Sequence, residues 1–379
     1  MPQNVFAKRA KLNELFKDER FLYPEYVPER LPHRDSEIDS LVFALQPVLQ
    51  GKKPQNVFVY GKSGTGKTAT VRFVLNELQQ YSDRAKGLYV NCFQCNTRHA
   101  VLTQIANFLG RPTPRRGIGT DEAYSQLCVA LQRAEFLPVV VLDEADQLLH
   151  DGEASRLLYD LLRVAEQQKK GFGLIFISNL EGFTAMLDAR VKSSLAEQSV
   201  CFEQYSPPQL KDILKERAQF AFHPNALESE AINLAAAHAA KFGGDARIAI
   251  ECLLKAGRLA EKENSSAVTP AHLKKVFPQI DAAALQKSIG FLGEAELAIL
   301  RQIPANNAIA SGDLYEAYRK STKSAVTQRQ FRTIRTKLER MKLINCEEAI
   351  KGNKGRTIMI SLAFPKGKLD ALGKNGADK

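Results

Sequence analysis

The segment Gly61-Lys62-Ser63-Gly64-Thr65-Gly66-Lys67-Thr68 sets a lysine and a hydroxyl behind a glycine-rich turn. This pattern, G-x-x-x-x-G-K-[ST], suits phosphate binding. The glycines let backbone N–H groups wrap an anion, and a helix starting behind them adds the positive end of its dipole. Gly64, Thr65, Gly66, Lys67, Thr68 and Ala69 are the expected ligands of a nucleotide. Lys67 would reach the β- and γ-phosphates, and the Thr68 hydroxyl would ligate Mg²⁺. The loop follows an apolar run and precedes an amphipathic stretch, the strand-to-helix context the motif needs. Further on, "LPVVVLDEADQLL" runs four apolar residues into Asp143 and Glu144. Two carboxylates at a strand's carboxyl end lie where parallel sheets bind ligands. Asp143 is expected to hold Mg²⁺ and Glu144 to polarise an attacking water. Standing alone, such a pair would be a solvated helix start. "GLIFISNL" places Asn179 at another strand end, as a residue that positions the water, senses the γ-phosphate or only makes a turn. The expected cofactors are ATP or ADP with Mg²⁺.

These groups need a scaffold that brings strand ends together. Apolar runs at 57–60, 88–92, 139–142, 174–178 and 199–202 are short, rich in Val, Ile and Phe, and show no period-two alternation. Strands buried on both faces of a parallel sheet look like this. Alternation with longer amphipathic segments predicts a doubly wound α/β domain. Before it, Asp35 or Ser36 would cap a helix running to about Leu49, with Ile38, Leu41, Val42, Leu45 and Leu49 at helical spacing. From Pro207 to about Phe277 the pattern is helical, broken at Gly243-Gly244 and at 265–270, which predicts a separate helical domain. The boundaries expected are 1–203 for the core with its N-terminal extension, 204–284 for the helical lid, 285–365 for a C-terminal domain and 366–379 for a flexible tail.

The chain has 379 residues, 44% hydrophobic and 25% charged, which argues against disorder, collagen and coiled coil. No apolar stretch approaches the ~20 residues that span a bilayer, so no membrane partner is expected. The N-terminus lacks the apolar centre of a signal peptide, so a cytoplasmic location is expected. Six cysteines, including a lone Cys92-x-x-Cys95, make neither a disulfide framework nor a zinc site. Charge is unevenly placed. Residues 285–379 carry 18 Lys/Arg against 9 Asp/Glu, out of 53 and 42 in the whole chain. Such asymmetry fits either a nucleic-acid-binding C-terminal domain or a basic surface kept for solubility.

The segment "SAVTQRQFRTIRTKLERMKLINCEEAIKGNKGRTIMISLAF" has the pattern of a helix followed by a β-wing. At 100° per residue Phe331, Ile334, Leu338 and Met341 share one stripe, with Arg329, Arg332, Thr333, Thr336 and Arg340 opposite. An apolar stripe by itself indicates only packing. The outer face suits a helix in a major groove, where Arg meets phosphates or guanine edges. Lys351, Lys354 and Arg356 would put cations on the wing.

The phosphate loop, the acidic pair and the strand-end Asn together resemble an AAA+ ATPase. More narrowly, "EYVPERLPHRDSEI", "LDARVKSSL" and "FGGDARIAIECLLKAG" are similar to archaeal origin-recognition initiators. These are relatives of the large origin recognition complex subunit and the cell-division-cycle helicase loader. The resemblance covers about residues 10–364 in order. It implies an AAA+ core with a parallel sheet, a helical lid and a C-terminal winged helix. It further implies that Arg247 in "GGDAR" is a lid cation reaching back to the phosphates. Tyr205 and Arg217 would be lid-entry residues associated with the nucleotide, and the segment 26–34 would pack near adenine. Arg190 matches a place where a trans-acting or a structural Arg is found, although Ser193-Ser194 departs from the family's element. The stretch between the second and third strands would carry a helical insertion touching duplex DNA, with Arg111, Arg115 and Arg116 as its cations. The expected function is ATP-dependent initiation of DNA replication by slow, switch-like hydrolysis. The partners would be double-stranded origin DNA and the replicative helicase, with further initiator copies on DNA left open. The alternatives are a STAND-type signalling ATPase and an ATP-gated transcription regulator.

Overall fold

The computed structural model describes residues 14–149, 153–167, 171–195, 197–290, 292–322, 324–341, 343–350, 356–366 and 369. The proposed tail at 366–379 lies almost entirely outside the described residues, as do Lys351 and Lys354. The chain divides into two compact units, Met1–Lys275 and Val276–Lys379.

In the first unit the chain alternates α1 (Asp35–Leu45), β1 (Val57–Gly61), α2 (Lys67–Tyr81), β2 (Ala85–Asn91), α3 (Arg98–Phe108), α4 (Thr120–Arg133), β3 (Leu137–Asp143), α5 (Glu153–Gln167), β4 (Gly173–Ser178), α6 (Ala189–Leu195) and β5 (Gln198–Phe202). Among the described residues these strands form one parallel sheet in the order β2-β3-β4-β1-β5. Every residue of β3 and β4 is buried, which is why they appear in sequence as unbroken apolar runs. Val59, Val141 and Ile177 face Leu41 of α1 and Val71 and Val74 of α2. Val140, Leu142 and Phe176 face Leu102 and Ile105 of α3, Leu127 of α4 and Leu158 of α5. β1 lies beside β4, so the carboxyl ends of β1, β3 and β4 open on one crevice, as doubly wound sheets arrange their ligand sites.

α1 is shorter than its periodicity suggests. It ends at Leu45, and Gln46–Gln50 continues as a 3₁₀ helix. Pro47 has no N–H for the α-helical bond, and its ring clashes with the carbonyl four residues back. The span between β2 and β3 holds two helices, α3 and α4, as the insertion required.

The helical part continues with α7 (Pro207–Ala221), α8 (Ser229–Lys241) and α9 (Ala246–Lys262), and α10 (Pro270–Gly290) begins in the first unit and continues into the second. Residues before α1 strap across α7 and α9. Phe16 stacks on Phe222 with centroids 4.7 Å apart, and Arg258 Nε donates to Glu19 Oε2 at 2.9 Å.

The second unit contains α11 (Glu294–Gln302), β6 (Ile309–Ala310), α12 (Ser311–Ser321), α13 (Gln328–Arg340), β7 (Ile344–Ile350) and β8 (Arg356–Leu362). Among the described residues its strands pair antiparallel in the order β6-β8-β7. This is a winged helix. β6, only two residues long, has no signature in the sequence pattern. Thr327 caps α13 in a reciprocal box with Gln330, satisfying first-turn amides. Phe331 and Leu338 are buried, and Ile334 and Met341 pack at the edge of the same core.

Truncating Leu338 to Ala should destabilise the second unit by ~2–5 kcal/mol, the cost of a cavity in a closed core. Arg332→Ala, on the exposed face, should stay within ~0.5 kcal/mol of wild type. Urea unfolding of the full chain, with amide exchange followed over residues 276–379, separates the two.

Candidate nucleotide site

The phosphate loop joins β1 to α2, and its shape depends on two glycines. Gly64 and Gly66 have φ of 75° and 90°, in the left-handed region that glycine adopts without strain. A β-carbon on Gly64 would stand 1.9 Å from Asp245 Oδ1, and one on Gly66 2.7 Å from the Tyr205 hydroxyl. The N–H groups of Lys67, Thr68 and Ala69 open α2 and have no partner within the helix. Lys67 Nζ is folded into the loop, donating to Gly61 O at 2.8 Å, Lys62 O at 2.7 Å and Asn179 Oδ1 at 2.9 Å. Burial first, and then the charge of Arg247, pull the Lys67 ammonium down to about 8, while Asp143, Asp146 and Asp245 oppose them.

The acidic pair lies across from the loop. Asp143 is buried; its Oδ2 accepts from Thr68 Oγ1 at 2.8 Å and its Oδ1 from Glu144 N–H at 2.9 Å. Glu144 has φ of 55°, a left-handed conformation that costs a non-glycine residue ~1–3 kcal/mol and is concentrated at functional sites. Asn179 is held by its backbone, whose N–H donates to Asp146 Oδ1 at 3.3 Å. That same oxygen accepts from Ser178 Oγ at 2.8 Å.

The lid reaches the loop through the start of α9. Ala246 N–H donates to Gly64 O at 3.1 Å, and Asp245 caps the helix by accepting from Arg247 N–H at 2.8 Å. Arg247 is exposed, close enough for its charge to act on Lys67. Tyr205 is buried, and its hydroxyl accepts from Arg34 Nε at 2.9 Å. Arg34 also donates to Thr65 O, Glu203 O and Glu37, and stacks 4.0 Å over the Tyr205 ring. Arg217 is held at the strap: its guanidinium donates to Phe21 O at 3.0 Å and Tyr26 O at 3.3 Å, lies over the Tyr26 ring, and is near enough to Tyr205 for their charges to interact.

The structure therefore gathers Gly64 through Ala69, Asp143, Glu144, Asn179, Arg247 and Tyr205 around one crevice, and sets Arg217 against the strap. Arg34, Asp146 and Asp245 join the site without having been singled out from sequence. Asp245 had a signal: an Asp directly before a helix containing Arg247 is an N-cap pattern. The donors fit the cofactor. Bare backbone, first-turn amides and Lys67 suit phosphates. The Thr68 hydroxyl and Asp143 carboxylate are hard oxygens of the kind Mg²⁺ takes together with phosphate oxygens. Among the described residues there is no group of three or more His, Cys, Asp or Glu that could hold a metal ion.

The residues expected to meet nucleic acid are spread over both units. Arg115 and Arg116 are exposed between α3 and α4, while Arg111 Nε is tied to Gln126 Oε1 at 2.6 Å. Arg190 is exposed, and it makes no ion pair among the described residues. On α13, Arg329, Arg332 and Thr333 are exposed, and Thr336 is half-buried. The Thr333 and Thr336 hydroxyls donate to the carbonyls of Arg329 and Arg332. The side chains of Arg340 and Arg356 lie outside the described residues. Among the described residues no helix is long and apolar enough to cross a membrane.

A parallel sheet in this order, a phosphate loop and a helical lid set on that loop define an AAA+ ATPase, a nucleotide-binding class. Family models agree: an AAA domain matches residues 50–187, and a Cdc6 AAA+ ATPase-type lid domain matches residues 211–277. The ORC1-type DNA replication protein of Thermococcus kodakarensis is 37% identical over 381 residues, covering 95% of this chain and 91% of the relative. That of Archaeoglobus fulgidus is 36% identical over 367 residues, covering 93% and 89%. The structure of Aeropyrum pernix ORC1 in complex with DNA is similar at a TM-score of 0.74 and 32% identity, covering 96% of this chain and 97% of that one. The chain belongs to the ORC1-type DNA replication protein family, and its role lies in DNA replication initiation.

The depressed Lys67 leads to a pH effect. Bound phosphates favour the charged ammonium, so binding raises its pKa and takes up a proton wherever the free protein has lost one. ATP binding at pH 9 should take up about one proton, falling towards none as the pH drops below 8, and affinity should weaken as pH rises through about 8. Calorimetry in two buffers of different ionisation enthalpy measures this; no uptake at pH 9 would mean an ordinary lysine.

Proposed function

We propose that the chain is a replication initiator that binds origin duplex DNA under the control of its nucleotide and brings the replicative helicase to that site. The observation that carries this reading is its likeness, along 96% of its length, to a 32% identical ORC1 whose structure holds DNA. The division of labour follows the expected boundaries: 1–203 as core, 204–284 as lid, 285–365 as the DNA-reading domain.

Lys67 and the amides of residues 64–69 hold the phosphates. Thr68 and Asp143 hold Mg²⁺, which neutralises charge developing on the phosphate oxygens. Glu144 orients the attacking water and accepts its proton. Asn179, anchored through Asp146, shares Lys67 with the terminal phosphate and registers its presence. Arg247, on the lid, reaches the phosphates only when α9 sits on the loop, so ATP favours the closed lid. Tyr205 transmits that position to the phosphate loop through Arg34, and Arg217 fixes the segment 21–26. Turnover is slow and acts as a switch. On DNA, Arg329, Arg332, Thr333, Arg340 and the wing cations Lys354 and Arg356 meet the duplex, with Arg115 and Arg116 as a second contact on the core. At least one α13 arginine meets a base edge, because choosing an origin needs sequence information that phosphates do not carry.

Glu144→Gln should retain ATP binding and lose phosphate release; equal turnover in variant and wild type would sink the assignment. Arg247→Ala should narrow the gap between ATP and ADP affinities more than it weakens ADP. For DNA, anisotropy of the full chain on a candidate origin and on a scrambled duplex, with and without ATP across a salt series, is decisive. Arg332→Ala should lower the salt slope by about one if it meets phosphate, or cost ~1–3 kcal/mol on the origin alone if it meets a base. Retention of full affinity after Arg329, Arg332 and Arg340 all become Ala would mean that α13 does not face DNA.

A further inference from the structure

β2 brings one more side chain to Asp143. The Tyr89 hydroxyl donates to Asp143 Oδ2, the oxygen that also accepts from Thr68 Oγ1 at 2.8 Å. In the β2–β3 register Tyr89 pairs with Val141 and Asn91 with Asp143. Tyr89 therefore lies two residues before the level of Asp143 on the same face of the sheet, and its ring is long enough to carry the hydroxyl forward to the carboxylate. α2 closes the other side: the Arg72 guanidinium lies 4.1 Å from the Tyr89 ring centroid.

Asp143 thus has both carboxylate oxygens engaged, with Oδ1 on its neighbour's amide and Oδ2 on two hydroxyls from different elements. A carboxylate at a strand end can rotate about its side-chain bonds. The Glu144 amide holds Oδ1 and Thr68 holds Oδ2 from α2; Tyr89 adds a second donor to Oδ2 from β2, so that oxygen is braced from two sides. We propose that Tyr89 is a positioning residue of the Mg²⁺ site, locking the Asp143 carboxylate in the orientation that faces Thr68. The inference rests on the assignment of Thr68 and Asp143 as the metal-holding pair. Tyr89 itself does not touch the ion. It lowers the cost of binding by removing the search for a productive rotamer, as outer-shell partners of metal ligands do. The ring also packs on the α1–α2 side of the core, so the role of the hydroxyl must be separated from that of the ring. Tyr89→Phe does this by deleting one oxygen and keeping the packing.

The test uses the full chain and the non-hydrolysable analogue ADPNP, titrated calorimetrically in EDTA and across a MgCl₂ series. Tyr89→Phe should bind ADPNP like wild type in EDTA, yet need ~10-fold or more Mg²⁺ to reach half of its metal-dependent gain in affinity. Its thermal midpoint without nucleotide should match wild type. An unshifted Mg²⁺ series overturns the inference. So does an equal loss of affinity with and without Mg²⁺, which would make the hydroxyl merely structural. Asp143→Asn run alongside separates the two levels. If it leaves the Mg²⁺ series unchanged, the metal assignment falls and takes Tyr89 with it. If Asp143→Asn shifts the series and Tyr89→Phe does not, only the role of Tyr89 is lost.

Discussion

The Asp245 carboxylate lies 1.9 Å from where a β-carbon on Gly64 would stand, and the neighbouring Ala246 amide bonds the Gly64 carbonyl at 3.1 Å. Bare backbone at that point lets the start of α9 rest directly on the phosphate loop. The positive end of the α9 dipole and the positive end of the α2 dipole thus border the same small volume. Two such ends repel unless an anion stands near them, and Asp245 supplies one as the cap of α9. A nucleotide's phosphates would supply more. The start of α9 is thus in direct contact with the loop that would hold the phosphates.

A buried arginine holds the surrounding geometry. Arg34 connects the phosphate loop at Thr65, the end of β5 at Glu203, the lid entry at Tyr205 and α1 at Glu37. Burying a guanidinium is costly, and the cost is offset only where its donors meet acceptors in good geometry. The bonds at Arg34 reach three stretches of chain, the phosphate loop, residues 203–205 and the start of α1, so that offset exists in one arrangement of those stretches. Directional bonds of this kind fix angles that an apolar contact would leave free to slide. The junction between sheet and lid is thus held in a defined posture.

The second unit solves a different problem with the same economy. α13 contributes one face to a small core and leaves the other in solvent. Its stripe of Phe331 and Leu338 closes against α11, α12 and the sheet, which leaves Arg329 and Arg332 in solvent. Not every cation of the helix is outward. Arg335 Nη1 bonds Ser311 Oγ at 3.3 Å, and Lys337 Nζ meets Glu296 Oε1 at 2.6 Å. These two tie α13 to α12 and α11, so the charge of the helix overstates what it offers to a partner.

Local chemistry was legible in the sequence: the phosphate loop, the acidic pair at a strand end, the buried strands and the two-faced α13. Each depends on residue types at short spacing, and short spacing in a helix or strand converts directly into position. The extent of α1 was not, because one proline inside an otherwise helical pattern decides it. β6 was not, because two residues have no period. What only the tertiary structure decided is which distant groups meet. Lys67 and Asn179 are 112 positions apart, Tyr89 and Asp143 are 54 apart, and Arg34 and Tyr205 are 171 apart. Arg217 meets the strap, a partner no local pattern names. Such meetings are set by strand order and by where each crossover returns to the sheet, and those depend on the packing of whole layers rather than on any segment's own preferences.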